Sequence, residues 1–351
     1  MKAAIPITRL ALVLAALVGG CTPKTATIQQ KNNPDSFVKG ADIGWLPQME
    51  ATGYRFYDDR GRPADCFQIL KDHGVNTVRL RTWVNPSDDP INGHCSTAET
   101  VALAVRAQQW GMRVMLNFHY SDSWADPGKQ VKPAAWQGHD FPTLLQDVYA
   151  YTFEVMTALK RAGVRPEWVQ VGNETPGGML YPEGSTAHWP QLAQLINKGY
   201  EAIKAVSPTS KVILHLDQGN NRERFRTWFD NAQRHGARYD IIGLSYYPYW
   251  LPGNPDYTQS IDDLDANLRA LLRDYGKDVM VVEVGGEDTR PQNTYEMLVA
   301  VQRRVRALPG GRGLGVVYWE PQGARRWSKY PLSAWGDDGR PSKALDAFLV
   351  R

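Results

Sequence analysis

"EWVQVGNETPGG", residues 167–178, decides how the chain is read. Val169, Val171 and their apolar neighbours have the β-branched character of a buried strand. Thr175, Pro176, Gly177 and Gly178 then break the run into a loop. Asn173 and Glu174 are left at the carboxyl end of that strand. In parallel α/β proteins this end is where ligands meet the chain. A carboxylate there is either structural or chemical, and the rest of the chain must decide which.

Seven more strand-like runs surround it: "FVKGADIG" (37–44), "TVRLRTW" (77–83), "RVMLNFHY" (113–120), "KVILHLD" (211–217), "YDIIGLSYY" (239–247), "VMVVEVG" (279–285) and "LGVVYWE" (314–320). Segments 98–110, 143–162, 191–206, 221–235, 261–275 and 292–307 lie between them, with apolar residues three and four apart as helices require. Residues 342–350 are predicted to close the chain as a helix. No composition break or close repeat divides the series. Alternating β and α units in this number predict an α/β protein with a single (β/α)8 TIM barrel over residues 37–351. An open doubly wound sheet competes, but no GxGxxG follows the first strand.

The strand ends carry Asp42, Arg81, Asn117 with His119, Asn173 with Glu174, Tyr246 with Tyr247, Glu283, and Trp319 with Glu320. One or two could be buried ion pairs. So many strands ending in polar or aromatic residues are better explained by a site for a polar ligand. Glu174 ends the fourth strand and Glu283 the seventh, which face each other across an eight-stranded ring. Two carboxylates so placed suit glycoside hydrolysis, one protonating the leaving oxygen and one attacking the anomeric carbon. The acid needs a raised pKa. The nucleophile must stay ionised, a role that Arg81 and a tyrosine hydroxyl are predicted to fill. Trp45, Trp83, Trp124, Trp136, Trp250 and Trp319 follow or close strands, where indole faces can either pack or stack on sugar rings. Trp319 is the expected floor beneath the sugar next to the scissile bond.

"KGADIG" (39–44), "VRLRTWVNP" (78–86), "NFHYSDSWADPGKQ" (117–130), "VGNETPGG" (171–178), "IGLSYYPYW" (242–250), "VVEVG" (281–285) and "VYWEP" (317–321) resemble the motifs of glycoside hydrolase family 53. The likeness runs from about residue 37 to the carboxyl terminus, and the stretch containing Trp124 and Asp126 is its most specific part. The resemblance implies a retaining endo-β-1,4-galactanase acting on type I arabinogalactan side chains of pectin. It also implies Glu174 as acid/base, Glu283 as nucleophile and Asn173 as partner of the substrate 2-hydroxyl. Asp42, Arg81, Asn117, His119, Trp124, Asp126, Tyr246, Tyr247 and Trp319 complete the expected substrate site. A mannanase or cellulase of a related barrel family is the rival enzyme reading. A non-catalytic glycan-binding lipoprotein is the rival from another class.

Some bacterial relatives hold calcium in a long insertion after the seventh strand, whereas "GGEDTRPQNTYE" (285–296) passes quickly into a helix here. Glu287 and Asp288 are too few for an oxygen cage, so neither metal nor cofactor is expected. "QGARRWSKYPLSAW" (322–335) also departs from the family pattern, in a loop that shapes the cleft. Forty basic and 37 acidic residues give a net charge of +3 without a basic run, which leaves nucleic acid unsupported as a partner. A monomer is expected.

At the amino terminus Lys2 and Arg9 precede an apolar run, Leu10 to Val18, too short for a comfortable membrane span. "VGGC" then resembles a bacterial lipoprotein processing site. Residues 1–20 are therefore predicted to be a signal peptide and Cys21 the lipidated residue. Residues 21–36 form a polar tether, and the protein is expected to be exported and lipid-anchored to the cell envelope, at the outer membrane. Cys66 and Cys95 flank the second strand on opposite sides and are expected to stay unpaired.

Overall fold

The computed structural model describes Met1 and residues 37–350. Apart from Met1, the predicted signal peptide, Cys21 and the tether lie outside the described residues. Eight parallel strands form a closed barrel in sequence order: β1 (Val38–Asp42), β2 (Thr77–Thr82), β3 (Arg113–Phe118), β4 (Trp168–Val171), β5 (Lys211–Leu216), β6 (Ile241–Tyr246), β7 (Asp278–Val284) and β8 (Gly313–Tyr318). Closure comes from β8 pairing with β1, Val38 opposite Gly315 and Ala41 opposite Tyr318.

The outer helices match the periodic segments of the sequence: α3 (Thr97–Gln109), α4 (Phe141–Arg161), α5 (Trp189–Val206), α6 (Arg222–Arg234), α7 (Ile261–Tyr275) and α8 (Pro291–Arg306), preceded by α1 (Leu46–Ala51) and α2 (Cys66–Asp72). The first two fill the crossover from β1 to β2 and are too short to show periodicity in the sequence. The start of α2 is still specified locally, since Asp65 accepts the Phe67 N–H at 2.8 Å as an N-cap. Ser96 and Glu99 start α3 with a capping box. The closing segment differs from expectation: Lys343–Leu349 is a run of 3₁₀ turns capped by Ser342. Cys66 and Cys95 are both free and buried.

Parity along each strand sorts the core into two parts. Val78, Leu80, Val169, Val171, Leu214, Leu216, Leu244 and Tyr246 face the helices. Val38, Met115, Trp168, Ile213, Ile241, Met280, Val282 and Val317 fill the barrel's base. Burying each such side chain contributes about 1.5–3 kcal/mol, which offsets the cost of desolvating a polar layer above. One step nearer the strand ends, the inward positions become Asp42, Arg79, Asn117, Gln170, His215 and Ser245, all buried.

Strand β7 breaks the parity where it matters. Leu244 pairs with Val281 and Ser245 with Glu283, so Val282 is an extra residue in the strand. Without that bulge Glu283 would share the outward face of Val281; with it, Glu283 turns into the mouth. Strand β4 ends differently. Gly172 adopts φ +81°, and a β-carbon there would meet Thr175 Cγ2 at 2.8 Å. Two residues on, Glu174 itself has φ +42°, a left-handed conformation that costs a non-glycine residue on the order of 1–2 kcal/mol.

Candidate active site

The strand ends open into a cleft of about 430 Å³ with Glu174 and Glu283 both in its wall. Among the residues expected at the site, His119, Trp124, Asp126, Asn173, Tyr247 and Trp319 line the same cleft. It runs on into a groove of about 870 Å³ past Pro127, Asp217 and Gln218, which border both.

Glu283 is 5% exposed, and each of its oxygens has a donor. Arg79 Nη2 stands 2.8 Å from Oε1, and the Tyr247 hydroxyl donates to Oε2 at 3.1 Å. Arg79 also holds Asp42 through Nη1 at 2.5 Å, Asn173 Oδ1 through Nη2 at 2.8 Å and Gln170 Oε1 through Nε at 2.6 Å. The expected partner, Arg81, is not the one. It sits one inward position nearer the strand end, bonds Glu320, and lies 4.3 Å from the Trp124 ring centroid with Trp83 and Trp45 at 5.3 and 5.7 Å. Arg81 therefore braces the aromatic wall, while Arg79 serves the carboxylate.

Asn173 is held on three sides. Besides Arg79, Asn117 Nδ2 donates to its Oδ1 at 2.9 Å, and its own Nδ2 donates to the Ala125 carbonyl at 2.8 Å. One amide hydrogen of Asn173 is thus left over for a ligand hydroxyl. Asn117 and Asp42 are buried beneath the cleft as supports rather than as lining. His119 Nδ1 accepts the Ala125 N–H at 3.0 Å, and burial together with Arg81 and Arg79 keeps this imidazole well below its ordinary pKa, hence neutral. Trp319 packs edge-on to Trp45 at 5.0 Å and to Tyr330 at 4.6 Å, so its indole is locked in place.

Tyr246 does not reach the site. Adjacent residues of a strand face opposite ways, and Tyr246 points to the helix layer, where its hydroxyl meets Ser260 Oγ at 2.8 Å and the Tyr257 carbonyl at 3.2 Å. Ser245, facing inward instead, donates to Glu174 Oε1 at 2.6 Å. Sequence reading also passed over Arg79, Gln170, His215 and Tyr330. The first three share the inward parity of Arg81, Trp168 and Ile213, which was a usable signal; Tyr330 comes from a loop and had none. Asp288, weighed as a metal ligand, is bound by Arg325 at 2.5 and 2.7 Å.

Electrostatics separates the two glutamates. Burial raises Glu174 well above the usual carboxylate range, and the charge of Glu283 pushes it further, against the Ser245 hydrogen bond. Burial raises Glu283 as well; Arg79 pulls it back, Asp42 pushes it up, and the Tyr247 hydrogen bond lowers it. Glu174 is thus the more readily protonated of the two, and Glu283, with a cation against it, the more readily ionised. A protonated carboxyl and a carboxylate in one cleft are the pair that acid-assisted displacement at an acetal carbon needs.

A family model, glycosyl hydrolase family 53, matches residues 38–344. The chain belongs to that family. It is a glycoside hydrolase. A probable arabinogalactan endo-beta-1,4-galactanase A of Aspergillus terreus is 36% identical over 334 residues, 89% of this chain and 90% of its own. An endo-beta-1,4-galactanase of Bacillus subtilis is 34% identical over 310 residues, 81% of this chain and 70% of its own. Among solved structures, one from a study of two fungal beta-1,4-galactanases superposes with a TM-score of 0.80 at 29% identity, covering 89% of this chain and 98% of that one. The family 53 match spans all eight strands, from β1 through β8.

Proposed function

We propose that this family 53 hydrolase is an endo-β-1,4-galactanase that cleaves galactan, the type I arabinogalactan side chain of pectin, by double displacement. Glu283 attacks the anomeric carbon, forming a glycosyl–enzyme bond as the C–O bond to the leaving sugar breaks. Glu174 gives its proton to the departing oxygen, then as carboxylate takes a proton from the water that releases the glycosyl group. The observation that carries the reading is the split environment of the two glutamates: Arg79 and Tyr247 on Glu283, burial and a neighbouring anion on Glu174. Trp319 offers an apolar face to the sugar at the scissile bond, and Asn173 offers its spare amide hydrogen to the 2-hydroxyl. The cleft's continuation past Asp217 and Gln218 supports attack within a chain rather than at its end.

The test is a panel of soluble polysaccharides. Galactan should lose viscosity well before reducing ends accumulate, and galactomannan and cellulose derivatives should stay intact. Preferred cleavage of either of the latter would replace the substrate assignment, and no cleavage of any would favour a glycan-binding role. Export and lipid attachment at Cys21 form part of the same proposal, motivated by the basic, apolar, "VGGC" order. Cys21→Ala should release active enzyme from the membrane fraction.

A further inference from the structure

We infer that a one-way hydrogen-bond chain, Arg79–Gln170–His215–Ser245, makes Ser245 and His215 positioning residues that confine the acidic proton of Glu174 to Oε2. The inference rests on the proposed role of Glu174 and deepens it. Direction is fixed at the far end, because a guanidinium only donates. Arg79 Nε donates to Gln170 Oε1 at 2.6 Å, which turns the amide so that Nε2 faces His215 Nδ1 at 3.0 Å. The backbone N–H of Glu174 points at the same nitrogen at 3.4 Å. Two donors on Nδ1 require a lone pair there, so the ring proton sits on Nε2. Nε2–H donates to Ser245 Oγ at 2.7 Å, and the hydroxyl is left to donate to Glu174 Oε1 at 2.6 Å.

An oxygen that accepts this bond cannot also hold the acid proton along the same line. The proton is thereby assigned to Oε2, the oxygen that Ser245 does not engage. All four members of the chain are buried, with Arg79 and Ser245 1% exposed and Gln170 and His215 fully enclosed, so water does not compete for the bonds. Protonation of His215 would set a third donor against the Gln170 and Glu174 N–H groups. Burial, Arg79 and His119 hold the ring well below its ordinary pKa in any case. The charged and titratable groups facing Glu174 are Glu283, Asp217 and Arg79, with Tyr247 and Tyr330 beside it. One cation thus serves both glutamates, directly on Glu283 and through three neutral groups on Glu174.

The experiment compares wild type, Ser245→Ala and Ser245→Thr in kcat/KM against pH, on galactan and on a dinitrophenyl β-galactobioside whose departure needs no proton. The carboxylate form of Glu174 loses a hydrogen bond in Ser245→Ala, so the basic limb should move up by about half to one pH unit. Galactan cleavage should fall on the order of 10-fold or more while the activated substrate loses far less. Ser245→Thr, which keeps the hydroxyl, should restore the limb. In parallel, ¹⁵N spectra of histidine-labelled wild type, with the His215 signal identified by its loss in His215→Asn, should show a neutral Nε2–H ring down to pH 5. An unmoved limb with equal losses on both substrates would overturn the inference, as would an Nδ1–H or doubly protonated His215. The underlying role of Glu174 fails separately, if Glu174→Ala is as inactive on the activated substrate as on galactan.

Discussion

Arg79 and Arg81 stand two residues apart on one strand, point the same way, are equally buried, and each holds a glutamate. Arg79 meets Glu283 in the wall of the cleft, whereas Arg81 meets Glu320 beneath Trp45, whose backbone N–H also donates to that carboxylate at 3.2 Å. The difference between the pairs is access. Glu283 has the Tyr247 hydroxyl on one oxygen and a cavity in front of it; Glu320 is enclosed by protein and bonded also to Gln322 at 2.5 Å. A buried ion pair is therefore not in itself a sign of catalysis. The two pairs part where the bulge in β7 turns Glu283 toward open space, and the proposed chemistry follows that opening.

The sharpest way to break this contrast is to remove each acid in turn. Glu283→Ala should lower galactan turnover on the order of 10⁵-fold, the scale seen when a covalent nucleophile is lost. Glu320→Gln should keep activity within about tenfold. Comparable losses in both would show that the two pairs do one job.

The arginines should separate next. Arg79→Met removes the cation from Glu283, whose carboxyl must then rise further, so the acidic limb of kcat/KM should move to higher pH. The rate should fall about 10²–10³-fold. Arg81→Met should instead raise KM, through the loosened Trp124 wall, with the acidic limb unmoved. A pH–rate profile of each variant checks both statements.

Stability offers a third contrast. Burial pushes Glu320 up to about 7, with Arg81 pulling against the rise and Asp42 adding to it. Because the folded state holds this proton more tightly than the unfolded chain, with an ordinary value of 4.5, its contribution is present below that value and lost as pH climbs to about 7. Between pH 4.5 and 7.5 wild type should therefore lose about 2–3 kcal/mol relative to Glu320→Gln. Thermal unfolding of the two proteins across that range reads the difference, and parallel curves would contradict it.

The smallest effects belong to the adjacent tyrosines. Tyr247→Phe should cost about tenfold in kcat through the lost bond to Glu283. Tyr246→Phe should cost about 1 kcal/mol of stability, read as a fall in Tm, and leave kcat unchanged.

That last pair also marks how far the sequence could be read. Eight β-branched runs separated by amphipathic segments carry the barrel almost unaided, because a parallel sheet buried on both faces needs continuous apolar strands. Glu174 was legible from the loop breakers after it. Choosing Arg79 over Arg81, or Tyr247 over Tyr246, needed depth and parity rather than residue type. Parity alone would have ruled out Tyr246. It would also have sent Glu283 outward, because an extra residue in β7 leaves no mark in "VMVVEVG". His215 and Ser245 lie in apolar runs whose composition announces only a strand. The helices of the first crossover are shorter than two turns and carry no periodic signal.

The division of labour between Glu174 and Glu283 is tested most directly by azide rescue of their alanine variants on a dinitrophenyl β-galactobioside. Azide entering the covalent intermediate of Glu174→Ala should yield the β-galactosyl azide, with rate restored, because the small anion needs no general base. In Glu283→Ala it should occupy the nucleophile's place and yield the α-anomer. The opposite stereochemistry would exchange the two roles, and undiminished activity without azide in either variant would contradict the two-carboxylate account.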